Sequence, residues 1–117
     1  MWVDSRRQEE TKRYLAALRD SVREHGASFL VFYVPDARDC WLARHGRPAS
    51  LDEAAFQEIA VGLGLQRFSL TPVLAASPEP LSRLYFVEGH WTPVAHAIAA
   101  RALAEAIRGQ PGAGART

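Results

Sequence analysis

Phe29-Leu30-Val31-Phe32-Tyr33-Val34 is a run of six consecutive apolar residues with high β propensity, and Pro35-Asp36 closes it. The run lacks the polar alternation of a half-exposed strand, so it predicts a strand that is buried on both faces, as in a parallel sheet. Such a strand normally has neighbouring strands on both sides and helices on both faces of the sheet. The run therefore favours an α/β fold.

The residues around this run alternate between helical and extended patterns. Apolar residues recur at spacings of three and four between Ser5 and Glu24, which predicts a helix that Gly26 caps. After the strand, the patterns predict a loop over 35–49 and then a helix over 51–63, which a capping box at Ser50 and Glu53 opens. A strand over 65–70 and a short helix over 71–76 follow. The last predicted elements are an extended segment over 84–87 and a helix that begins at Pro93 and ends before Gly109. This order is typical of α/β proteins with a parallel sheet.

Two or three strands are few for a sheet with such an apolar member. An apolar edge that is left open is an aggregation hazard. We therefore expect residues 1–109 to form a single incomplete domain, completed by missing chain, by a second copy or by another partner. We expect residues 110–117, rich in glycine and small residues, to be a disordered tail.

The composition narrows the classes of function. Fourteen Lys and Arg residues against 13 Asp and Glu residues give a net charge of +1, without the basic excess of a nucleic-acid-binding protein. With one cysteine, Cys40, no internal disulfide can form, and we expect this residue to be a small, buried or half-buried thiol without a catalytic role.

No apolar run approaches the roughly 20 residues of a membrane-spanning helix. The N-terminus is polar and lacks the apolar core of a signal peptide. Taken as it stands, the chain is expected to be cytoplasmic by default. If the chain is part of a longer protein, this expectation no longer holds.

Glu88-Gly89-His90 is the strongest candidate in the sequence for a catalytic arrangement. A carboxylate beside an imidazole can fix its tautomer and stabilise the imidazolium, so that the histidine acts as a general base. The alternative is a histidine that helps to satisfy the start of the last helix, with a surface glutamate beside it. The spacing of Glu88, His90 and His96 does not match a recognised metal site, and we predict neither a metal nor a cofactor.

From about residue 12 to residue 108, the chain resembles the C-terminal half of the SGNH/GDSL esterase and acyltransferase family. The resemblance rests on the apolar strand closed by Pro35, on Leu70 to Leu74, and on Tyr85-Phe86 followed by Glu88-Gly89-His90-Trp91-Thr92-Pro93 and Ala95-His96. It implies a partial flavodoxin-like three-layer α/β/α fold and an ester-bond hydrolase or O-acyltransferase. It further implies that His90 is the general base and that Glu88 occupies the place of the aspartate that orients it.

The chain departs from the family pattern in three ways. It has no Gly-Asp-Ser nucleophile block. The nearest string is Asp4-Ser5, which has neither a predicted strand nor a glycine before it. The oxyanion-hole blocks are also missing, and the chain contains no asparagine. Finally, Glu88 replaces an aspartate, and Ala95 stands where a glycine is usual.

Two hypotheses follow. In the first, the chain is the C-terminal portion of an ester hydrolase or O-acyltransferase. It is inactive alone, and when completed it acts on a small ester or an acylated carbohydrate, with Trp41 and Trp91 lining the substrate pocket. In the second, it is a non-catalytic, degenerate α/β module that binds a partner or forms an oligomer.

Overall fold

The computed structural model describes residues 5–109. Six helices and two strands are present in this part of the chain: α1 (Ser5–Glu24), β1 (Leu30–Tyr33), α2 (Ala37–Arg44), α3 (Leu51–Gly62), β2 (Gln66–Ser69), α4 (Thr71–Ala75), α5 (Leu81–Leu84) and α6 (Pro93–Arg108). The predicted tail over 110–117 lies outside the described residues. The predicted α/β class is confirmed, and the architecture is that of a partial α/β/α fold.

The two strands pair in parallel, with Leu30 opposite Gln66 and Phe32 opposite Phe68. Helix α3 packs against both strands. Its Phe56 ring lies 5.5 Å from the ring of Tyr33, centroid to centroid. Because side chains alternate along a strand, Phe32 lies on the sheet face opposite Tyr33.

The apolar run is only partly buried within the described residues. Phe32 is 42% exposed and Val34 is 55% exposed. The prediction of a strand buried on both faces is therefore wrong for this part of the chain. Two short strands cannot cover both sides of an apolar strand, and the surface of Phe32 and Val34 stays open to solvent.

The main buried cluster lies among the helices rather than under the sheet. It contains Cys40 of α2, Leu74 of α4, Leu84 of α5, Ala95 of α6 and the adjoining Tyr85. Helices α2, α4, α5 and α6 pack against one another around these side chains. This cluster supports the segment that follows α5, in which Glu88 and His90 lie.

The predicted loop over 35–49 is wrong, because residues Ala37–Arg44 form helix α2. Asp36 caps this helix: its Oδ1 accepts the Asp39 amide at 2.8 Å, and Asp39 Oδ2 accepts the Asp36 amide at 2.9 Å. This reciprocal pair is a capping box built from two aspartates. The Asp-x-x-Asp spacing was the sequence signal for the helix, but the pattern is usually written with Glu or Gln at the third helical position.

Ser50 caps α3 as predicted, since its hydroxyl accepts the Glu53 amide at 3.2 Å. The predicted capping box does not form. The Glu53 carboxylate is buried and accepts hydrogen bonds from Ser69 Oγ at 2.8 Å and Thr71 Oγ1 at 2.9 Å. Glu53 thus joins α3 to the end of β2 instead of closing its own helix.

The predicted extended segment over 84–87 is only partly correct. Leu81–Leu84 form the short helix α5, and Tyr85 alone continues as an extended residue that pairs with Trp91. The predicted short helix after β2 and the start of the last helix at Pro93 are confirmed. Among residues 5–109, no helix is both long enough and apolar enough to cross a bilayer.

Candidate active site at the carboxyl end of β1

A tight hairpin over residues 85–91 presents Glu88 and His90. Tyr85 and Trp91 form an isolated antiparallel bridge at its base. The Phe86 amide donates to the His90 carbonyl at 2.8 Å, and the Gly89 amide donates to the Phe86 carbonyl at 2.9 Å. Gly89 has a φ of 99°, which glycine adopts without the strain that a side chain would add. The sequence is therefore locally suited to a sharp turn that ends at His90.

Thr92 fixes the hairpin to the start of α6. Its hydroxyl accepts the Ala95 amide at 3.3 Å as the predicted N-cap, and it donates to the Arg83 carbonyl at 2.6 Å. Its amide donates to the Leu84 carbonyl at 2.9 Å. Thr92 therefore joins α5, the hairpin and α6. Pro93 follows at the first helical position, where its lack of a backbone N–H costs no intrahelical hydrogen bond.

The structure brings Glu88 and His90 together. Glu88 Oε1 lies 3.7 Å from His90 Nδ1, which is longer than a hydrogen bond. The side chains are 61% and 83% exposed, respectively. Since Nδ1 is on the side of Glu88, Nε2 is the nitrogen left for another group. Catalytic hydrogen bonds are often long in a free enzyme and tighten when substrate binds.

His90 lies on the wall of a cleft of about 450 Å³. The cleft is lined by the residues that follow β1 and by the hairpin and the first turn of α6: Val34, Pro35, Asp36, Gly89, His90, Trp91 and His96. In open α/β sheets, ligands bind outside the carboxyl ends of the strands. The cleft occupies that position relative to β1.

The two tryptophans proposed to contact substrate have different surroundings. Trp91 lines the cleft and meets His96 edge to face, with ring centroids 5.3 Å apart. Trp41 lies on α2, is 44% exposed and stacks on His45 at 4.1 Å. Trp41 is not among the residues that line the cleft, and a substrate contact by Trp41 stays a prediction.

Asp36 and His96 belong to the cleft, although the sequence did not assign them to the substrate pocket. The position of Asp36 in the sequence could have predicted this placement, because an acidic residue that closes an apolar strand lies at the sheet edge where ligands bind. His96 lies one turn into α6 and reaches the cleft only because α6 packs beside the hairpin. Within residues 5–109, no three His, Cys, Asp or Glu side chains are grouped so that they could hold a metal ion.

The residues lining the cleft include no serine, threonine or cysteine. Cys40 is fully buried, as predicted, and burial raises the pKa of its thiol. A raised pKa keeps the thiol protonated, whereas a nucleophilic cysteine needs the thiolate. The lining of the described cleft thus includes one carboxylate, that of Asp36, and the imidazoles of His90 and His96, but no side-chain nucleophile of these types.

A parallel sheet whose strand end adjoins a His-bearing hairpin is consistent with an SGNH hydrolase-like domain. Comparison with protein families supports this class, because the family described as "SGNH hydrolase-like domain, acetyltransferase AlgX" matches residues 3–117. The match spans nearly the whole chain, and the chain belongs to this family. The resemblance carried by the sequence is thereby confirmed. Neither the curated proteins nor the solved structures contain a significant match to the chain.

Proposed function

We propose that this chain supplies the general-base side of an acyl-transfer site, in an ester hydrolase or an O-acyltransferase. His90 Nε2 takes the proton from an attacking hydroxyl, and Glu88 orients the imidazole and stabilises its cation. The observation that carries the proposal is the 3.7 Å approach of Glu88 Oε1 to His90 Nδ1 on the wall of a cleft at a strand end.

The nucleophile and the oxyanion donors come from another polypeptide segment in this proposal. His90 can activate a hydroxyl, but it needs that hydroxyl within hydrogen-bond reach. The 83% exposure of its side chain leaves room for such an approach. On its own, the 117-residue chain is inactive, because an oxyanion hole is often the largest single contribution to acyl transfer.

The substrate proposed is a small ester or an acylated carbohydrate. The description of the family to which the chain belongs names an acetyltransferase. A cleft of about 450 Å³ accommodates a small acyl group with part of its carrier. Trp91 offers an aromatic surface beside His90 for the apolar face of such a carrier.

The test uses p-nitrophenyl acetate and compares the wild-type chain with His90→Ala. For the isolated chain, we expect equal rates. The comparison is then repeated with a polypeptide that supplies a Gly-Asp-Ser block, encoded upstream of the chain or by a neighbouring gene. There we expect His90→Ala to lower kcat by about 10²-fold or more. An active complex whose rate is independent of His90 would contradict the proposal.

A second function is favoured by one specific observation. Four large apolar side chains are exposed: Phe32 and Val34 at the sheet, and Phe86 and Val87, at 49% and 108%, in the hairpin. Exposed apolar surface is typical of protein-binding sites when it is contiguous. In this alternative, the chain is a non-catalytic module that binds a partner or a second copy. It predicts association that persists in His90→Ala, with no ester hydrolysis in any complex.

A further inference from the structure

The hydroxyl of Tyr85 links three separate parts of the fold. Tyr85 is 6% exposed, and its hydroxyl donates to the carbonyl of Pro35 at 2.8 Å. Cys40 Sγ of α2 lies 3.4 Å from the same oxygen. Pro35 directly follows the apolar strand run and lines the cleft, so this bond fixes the base of the hairpin to the strand end.

The backbone of Tyr85 leads directly to His90. Tyr85 pairs with Trp91, and the next amide, that of Phe86, donates to the His90 carbonyl at 2.8 Å. A shift of Tyr85 relative to Pro35 would therefore move the His90 backbone as well. Position matters here, because a misplacement of about 1 Å can cost about 10²-fold in catalysis.

The hydroxyl is kept in the form that can donate. Burial raises the pKa of Tyr85 well above its usual range, while the neighbouring Trp91 side chain acts in the opposite direction. Trp91 Nε1 is itself buried and has no hydrogen-bond partner within residues 5–109.

We propose that Tyr85 is a positioning residue for His90, whose hydroxyl holds the hairpin at a fixed distance from the Pro35 carbonyl. This role rests on the proposed function of His90, but the geometry can be tested separately. A phenylalanine would fill the same core volume and keep the ring contacts. Within residues 5–109, the hydrogen bond from this hydroxyl joins the hairpin to the strand end, and so the hydroxyl is the group to remove.

The first measurement is amide hydrogen exchange by NMR in Tyr85→Phe, with Tyr33→Phe as the matched control. The control also loses a tyrosine hydroxyl that donates a 2.8 Å hydrogen bond, in this case to Asp39, but it does not touch the hairpin. We expect the Phe86 and Gly89 amides to exchange about tenfold faster in Tyr85→Phe, as the loss of one hydrogen bond implies. In Tyr33→Phe, these two amides should keep their wild-type rates.

A purely structural role would raise exchange throughout the molecule in both variants. The amide of Leu63, the residue that caps the C-terminus of α3, donates to the Ile59 carbonyl at 3.0 Å; it reports such a global change and should keep its rate in Tyr85→Phe. Unchanged exchange at Phe86 and Gly89, or an equal rise at Leu63, would overturn the proposal.

A pair of non-natural residues serves as a rescue and covers the case in which Tyr85→Phe does not fold. At position 85, 4-aminophenylalanine restores a donor in the same place, whereas 4-methylphenylalanine matches its size without one. We expect wild-type exchange with the amino form and about tenfold faster exchange with the methyl form. Equal exchange in the two forms would refute the role of the hydroxyl.

The active complex provides the last readout. Tyr85→Phe should lower kcat about tenfold or more and leave KM within about twofold, because the variant displaces the base and not the substrate. If exchange changes as expected and no complex shows His90-dependent activity, the proposed function fails while the positioning geometry stands. If an active complex is indifferent to Tyr85→Phe, the positioning role fails alone.

Discussion

Glu88 Oε1 approaches His90 Nδ1 to 3.7 Å at the tip of a hairpin, and both side chains are more than half exposed. An exposed pair at this distance contributes little to stability, because water and salt screen the charges and the side chains lose entropy on pairing. The role proposed for the pair therefore lies in orienting the imidazole and not in stabilising the fold. This separates its effect on activity from its effect on folding.

Glu88→Gln tests that separation. The variant should unfold at the same urea concentration as the wild type, because an exposed pair of this kind contributes at most about 1 kcal/mol. In an active complex, kcat should fall about tenfold or more, since the amide cannot stabilise the imidazolium. Glu105→Gln, an exposed glutamate of α6, is the matched control and should change neither quantity. A loss of stability without a loss of kcat would argue against an orienting role.

Gly89→Ala should destabilise the chain by about 1–2 kcal/mol. The reason is conformational, because no atom within 4 Å obstructs an added Cβ but the φ of 99° disfavours any side chain. Gly62→Ala is the control, since Gly62 lies in α3 with equally open space and no positive φ. That change should be neutral or stabilise by up to about 1 kcal/mol. Urea denaturation followed by circular dichroism measures both, and equal midpoints would contradict the argument.

Arg44 is expected to be essential to the link between α4 and α5. Its guanidinium donates to the carbonyls of Ala75 at 3.1 Å, Ser77 at 3.0 Å and Glu79 at 2.6 Å. Arg44→Ala should therefore cost about 2–4 kcal/mol, since hydrogen bonds from a charged donor contribute about 1.5–3 kcal/mol each and are not additive. Arg44→Lys should recover only part of the loss, because one ammonium cannot span these carbonyls. Full recovery by lysine would show that charge alone matters.

The open sheet face should cause self-association. Phe32, 42% exposed, lies beside Val34 on the face opposite α3, and apolar surface of this kind is removed from water when molecules associate. Phe32→Lys should shift the chain towards monomer in sedimentation velocity. Val61→Lys, at an exposed position of α3, adds the same charge elsewhere and should leave association unchanged. A wild-type chain that sediments as a monomer at all concentrations would contradict this expectation.

The chain should lose stability at alkaline pH. Burial raises the pKa of Cys40, and it also raises those of Tyr33 and Tyr85. Because these groups ionise more readily when unfolded, their contribution is complete below the unfolded pKa, about 8.5 for cysteine, and is lost as the pH rises towards the folded value. Cys40→Ala removes one such group.

The measurement is the free energy of unfolding at pH 8 and at pH 10. The difference between these two values should be smaller in Cys40→Ala than in the wild type. The variant also loses stability at both pH values through the lost side-chain volume, so only the slope is diagnostic. An identical slope would mean that the Cys40 thiol does not ionise differently in the folded and unfolded states.

Much of the fold followed from local patterns. The apolar run at residues 29–34 predicted the parallel strand, and Thr92-Pro93 predicted the start of the last helix. Helix α2 was missed because its capping box uses aspartate at the third helical position, and α5 because four residues are too few to show a helical period. The role of Glu53 was misassigned, since its partners Ser69 and Thr71 are distant in sequence.

The candidate site divides in the same way. The sequence alone determined the order of elements, the family resemblance, the turn at Gly89 and the adjacency of Glu88 and His90, because all of these depend on residues close together in the chain. Only the tertiary structure decided which groups share the cleft with His90 and how the hairpin is held. Asp36 and His96 reach the cleft, and Tyr85 meets Pro35, through packing across about 50 residues of chain. No local pattern encodes such contacts, because they form only when the helices close over one another.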